Sequence, residues 1–115
     1  MKIERFEAIL AWQKAKELTK NIYLLLVQMK DYGFKDQIQR ASVSIMNNIA
    51  EGFERRSDRE FKHFLFVAKG SCGEVRSMLL LTKELEYIEQ EICDTLIVET
   101  EQISKMLSNF IKTLD

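Results

Sequence analysis

The chain has 115 residues, 46% of them apolar and 30% charged, with a formal net charge of −1. That length predicts one domain with a modest core, and the balanced charge rules out the strongly basic or acidic classes of chain without excluding a local basic surface. Proline is absent and glycine occurs four times, so the two strongest breakers of long helices are nearly missing.

The first apolar cluster is short and runs into Gln13, Lys14, Lys16 and Glu17, which reads as neither a signal peptide nor a membrane span. A cytoplasmic protein with no membrane role is the expectation. Four helical segments follow. The first is predicted from about Phe6 to Lys30, with Trp12, Ala15, Leu18, Ile22, Leu25, Leu26 and Met29 on one face and a stop at Tyr32-Gly33. The second is predicted from about Lys35 to Arg55, with Ile38, Ala41, Ile45, Ile49 and Phe53 at three- and four-residue steps. Glu51 and Arg55 take the favourable i, i+4 order on that helix. Ser57 and Glu60 have the spacing of a capping box and start the third segment. Its stripe, Phe61, Phe64, Leu65, Ala68, Cys72, Val75, Leu79 and Thr82, is the cleanest of the four. The fourth is predicted from about Glu91 to Leu114, with Ile92, Leu96, Ile103, Leu107, Phe110 and Leu114 on one face and Glu99 breaking it. No segment alternates as a strand does. Long helices joined by short turns predict an all-α fold, an up-down-up-down antiparallel four-helix bundle.

Three of these helices carry a second apolar line. Ile9, Tyr23, Leu24 and Val27 lie off the first core face; Val43, Met46 and Ala50 form an i, i+3, i+7 line on the second; Phe66, Leu80 and Leu81 point away from the third. Gly70 and Gly73, each costing on the order of 1 kcal/mol inside a helix, fall on the outer side of the third helix, where a bare backbone permits close approach. A domain this small cannot bury helices on nearly all sides, so a homo-oligomer interface is expected through Tyr23, Leu24, Val27, Val43, Met46, Ala50, Phe66, Gly70 and Gly73.

Chemistry is poorly served by this sequence. Glu60 and His63 have a metal-ligand spacing, but the chain holds one histidine and the pair is out of phase with the core stripe. His63 and Cys72, nine residues apart, project to opposite sides of one helix. Cys72 and Cys93 lie within apolar patterns and read as reduced core thiols. No phosphate loop or nucleophile elbow is present, so neither an enzyme nor a cofactor is expected. Charge is distributed unevenly: residues 35–70 hold seven basic and five acidic side chains, whereas residues 84–102 hold seven acidic and no basic ones. Lys14, Lys16, Arg40, Arg55, Arg56, Arg59 and Lys62 are the candidates for contacting the phosphates of RNA or DNA, centred on the turn between the second and third helices. The competing expectations are ordinary helix-surface ion pairs with the interleaved acids, and a scaffold that docks a partner protein.

The stretches FEAILAWQKAKELTKNIY, QIQRASVSIMNNIAEGFERRSDREFKHFLFVAKGSCGEV and LLLTKEL resemble the four-helix-bundle proteins encoded in intervening sequences of bacterial 23S ribosomal RNA genes. Trp12-Gln13-Lys14-Ala15, Asn48-Ile49-Ala50-Glu51-Gly52 and Glu60-Phe61 carry most of that resemblance. It implies an up-down bundle that assembles into a homopentamer, without catalytic activity. It also implies similarity to the accessory protein of diversity-generating retroelements, a pentameric barrel that binds nucleic acid and a reverse transcriptase. Met46 stands where that family often has proline, and this chain lacks the strongly basic charge of the nucleic-acid-binding relatives.

Overall fold

Ser57 shows how local chemistry sets the boundaries. Its Oγ accepts from the Glu60 backbone N–H at 3.2 Å and donates to the Glu60 carboxylate at 3.2 Å, so the expected N-cap forms while the carboxylate takes the hydroxyl in place of the Ser57 backbone N–H of a full capping box. The structure, a computed structural model, describes residues 3–114. A short 3-10 turn over Phe6–Ala8 precedes four helices: α1 (Leu10–Leu25), α2 (Tyr32–Phe53), α3 (Asp58–Leu85) and α4 (Gln90–Lys112). No strand is present among the described residues.

The helices close into a cycle in which α1 packs on α2, α2 on α3, α3 on α4 and α4 on α1. Neither α1 with α3 nor α2 with α4 approaches closely, so those pairs sit at diagonal corners. Direction follows from the cross-links. Ser44 meets Ser71 and Gln37 meets Glu74, so α2 and α3 run antiparallel. Arg76 meets Glu101 and Lys83 meets Asp94, which does the same for α3 and α4. The result is an elongated bundle of 42 × 21 × 19 Å.

Its centre is the expected set of stripes: Ala15, Leu18 and Ile22 of α1, Ile38, Ile45 and Ile49 of α2, Leu65, Ala68, Val75 and Leu79 of α3, and Ile103 and Leu107 of α4. The buried hydroxyls of Thr19, Ser42, Thr82 and Thr100 each bond a carbonyl three or four residues back on their own helix, so they enter the core without an unmet donor.

Several expectations are corrected. Tyr32-Gly33 is not a stop: α1 ends at Leu25, and Asp31 caps the start of α2 by accepting from the Phe34 N–H at 3.3 Å. An acceptor side chain placed just before an apolar-periodic segment outweighs a glycine, which the second position of a helix tolerates. Phe6 forms its own 3-10 turn, which brings Ile9 into the core rather than off its face. Leu25, placed in the core by periodicity, is exposed, because the chain leaves the helix there and Leu26 takes the buried position. Met46 packs against the chain's own core instead of facing wholly outward.

Helices α2 and α3 approach closely at Gly52. A Cβ there would lie 2.7 Å from the Phe64 Cβ and 2.9 Å from the Phe61 ring, so α2 and α3 meet because this side chain is missing. Gly52→Ala should therefore lose about 1–3 kcal/mol in urea unfolding despite its better helix propensity. In the α3–α4 turn, Glu86 adopts φ 59°, a left-handed conformation that a side chain disfavours. Glu86→Gly should gain about 0.5–1 kcal/mol in the same measurement.

Candidate functional site

Most of the basic residues proposed from the sequence are already occupied. Arg55 is bound to Glu51, lies 4.0 Å from the Glu60 carboxylate, and stacks 4.6 Å over the Phe64 ring. Arg40 pairs with Asp36 at 2.9 Å. The Lys16 ammonium sits 5.2 Å over the Trp12 ring. Lys62 is half-buried and also engaged within the chain. Arg56 and Arg59 are exposed and make no ion pair with a described residue. The turn thus brings Arg55, Arg56, Arg59 and Lys62 together, but only two of the four offer free charge. Arg40 is 15 residues from Arg55 along α2, roughly 22 Å away. Lys14 lies on a different seam again, beside Glu17 and Glu99.

That seam explains the carboxylate that interrupts the α4 stripe. Glu99 is half-buried between α1 and α4, and burial raises its pKa, opposed by Lys14 and reinforced by Glu17. A raised carboxyl pKa means the folded state holds the proton more tightly than the unfolded chain, so stability increases as pH falls. Glu99→Gln should raise the unfolding midpoint at pH 7, and the gain should shrink to nothing in acid. Thermal melts at both pH values check this.

His63 is exposed and stands edge-on to Phe64. Cys72 is buried and donates to the Thr100 carbonyl at 3.0 Å; burial pushes its pKa up to about 11, which leaves it a thiol rather than a nucleophilic thiolate at neutral pH. Among the described residues no group of three or more His, Cys, Asp or Glu side chains is placed to hold a metal ion. No helix among them is long and apolar enough to cross a membrane.

The second apolar lines have a simpler arrangement than periodicity suggested. Val43, Met46 and Ala50 are half-buried, so the second line of α2 is partly covered within the chain. Most of the exposed large side chains lie on the two diagonal helices, with Tyr32 at the start of α2, Tyr87 in the α3–α4 turn and Val98 of α4 outside them. Leu10, Tyr23, Leu24 and Leu25 belong to α1, with Val27 just beyond it; Phe66, Val67, Leu80, Leu81 and Leu85 belong to α3. Leu24 is 63% exposed and Phe66 57%. Around Gly70 and Gly73 an added Cβ would meet nothing within 4 Å, so no packing inside the chain calls for glycine at either position.

One feature was missed at the level of sequence. An open groove of about 450 Å³ runs between α3 and α4, lined by Lys69, Gly73 and Arg76 on one side and by Ser104, Lys105, Ser108, Asn109 and Lys112 on the other. Its signal was available, since Lys69 and Arg76, like Lys105 and Lys112, are separated by seven residues and so share a helix face. Nothing in the sequence placed the two pairs opposite each other.

The class that the fold defines is the antiparallel all-α four-helix bundle. The family model for the 23S rRNA-intervening sequence protein matches residues 7–109, nearly the whole length. The chain belongs to that family. Among solved structures it is similar to a protein of unknown function from the S23 ribosomal protein family of Bacteroides thetaiotaomicron VPI-5482, with a TM-score of 0.84 and 29% identity over 90% of this chain and 99% of that one. No curated protein matches significantly.

Proposed function

We propose that this protein is a non-enzymatic module that self-assembles head to tail into a ring and presents a basic surface to nucleic acid. The observation that carries the reading is the diagonal placement of exposed apolar residues on α1 and α3. Monomers rarely leave such patches open. Two different patches on opposite corners favour a heterologous contact, α1 of one protomer on α3 of the next, and such contacts close into rings when the rotation permits. Gly70 supports the same contact, because a bare backbone on α3 lets a neighbouring helix come near. Five protomers is the number implied by the family resemblance. The nucleic-acid role is supported by the free charge of Arg56 and Arg59 and by the cationic groove, and it needs no catalytic group.

Head-to-tail pairing has a distinctive test. Leu24→Glu should spoil the α1 face and Phe66→Glu the α3 face, each stopping ring closure with helicity unchanged by circular dichroism. Mixing the two variants should give heterodimers by light scattering, since each retains the face the other lacks. If one variant alone stays fully assembled while the mixture forms nothing new, the contact is not head to tail.

A further inference from the structure

We propose that the groove between α3 and α4 binds the phosphodiester backbone of a single nucleic-acid strand. This rests on the nucleic-acid reading above but moves the principal contact away from the α2–α3 turn.

The charge is concentrated and available. Four cations, Lys69, Arg76, Lys105 and Lys112, face one acid, Glu101, in a chain whose net charge is −1. Glu101 is taken by Arg76 at 3.4 Å. Among the described residues the three lysines have no ion-pair partner. Uncompensated cations that face each other repel, and a polyanion laid between them relieves that repulsion while releasing its own counterions.

The spacing matches an extended chain of charges. Arg76 faces Glu101 and Lys83 faces Asp94, a register that sets Lys105 opposite Cys72 and Lys112 opposite Leu65. Along the groove the cations therefore alternate between the two helices in the order Lys112, Lys69, Lys105, Arg76. Measured along the helix axes, successive charges are three or four residues apart, a step of about 4.5–6 Å at the rise of an α-helix. A regular zigzag of this kind suits the successive phosphates of one strand.

The form of the groove favours a strand over a duplex. Packed helix axes lie about 8–10 Å apart, which leaves a channel for one backbone, whereas a duplex would ride on the rim. Gly73 leaves the α3 wall bare, and nothing within the chain requires that. Ser104 and Ser108 add hydroxyl donors along the α4 wall. At its end Asn109 also lines a second depression, floored by Phe53, Phe61 and Phe110 and rimmed by Arg56.

The test is fluorescence anisotropy with a labelled, mixed-sequence RNA strand on the full chain between about 50 and 200 mM salt. Lys105→Gln with Lys112→Gln, both exposed and unpaired, should weaken binding about tenfold at the lower salt and reduce the salt slope by about 0.7 per lysine. Arg56→Gln with Arg59→Gln should have the smaller effect. Binding that survives the lysine changes but is lost with the arginines would overturn the groove and leave the nucleic-acid reading standing. Failure of the unaltered protein to bind at the lower salt would overturn both. Equal, lysine-dependent binding of polyglutamate would reassign the groove to an acidic protein segment. Light scattering on the same samples keeps assembly separate: a monomer that binds RNA through Lys105 and Lys112 retains the groove and loses the ring.

Discussion

A helix in a four-membered bundle of this length can bury one stripe, and the remaining structure follows from which residues are left over. The stripes of α2 and α4 take up most of their apolar content, with Met46 drawn onto the core and Tyr32 of α2 and Val98 of α4 the large side chains left exposed. Those of α1 and α3 do not. Because α1 and α3 occupy diagonal corners, the surplus appears on two opposite sides rather than as one patch. A single self-complementary patch would favour a two-fold dimer; two different patches favour propagation around a ring. The close contact of α2 with α3 at Gly52 holds the corners in that arrangement, since it fixes how near those two helices lie.

The periodicity of the sequence carried the architecture well. Most core positions of α2, α3 and α4 are those that spacing indicated, though Phe64 is only half-buried and Met78 and Ile111 join the core from outside the stripes, and Ser57 caps α3 through the Glu60 N–H. The errors fall at helix ends. Tyr32-Gly33 was misread because capping by Asp31 depends on backbone geometry, and Ile9 and Leu25 exchanged roles because α1 is shorter at both ends than its pattern. Glu99 had no rationale within its own helix; it gains one only beside Lys14 and Glu17 of α1.

The candidate site was less legible, for a related reason. A list of basic residues does not say which charges are spent. Arg40 and Arg55 are neutralised by acids one turn away, and Arg55 and Lys16 also lie over aromatic rings, so the turn is less positive than its composition. Lys105 and Lys112 follow a strongly acidic stretch and draw little notice in the sequence, yet antiparallel packing places them across from Lys69 and Arg76. Free charge, unlike total charge, is a property of the packed helices.

The central claim is that α1 of one protomer seats on α3 of another. The most direct test is the native mass of the unaltered protein, measured by light scattering or native mass spectrometry across a range of concentrations. Head-to-tail closure predicts one assembly of fixed stoichiometry, a whole multiple of the 13.5 kDa chain, that neither grows with concentration nor stops at two. A monomer of 13.5 kDa at every concentration would contradict it.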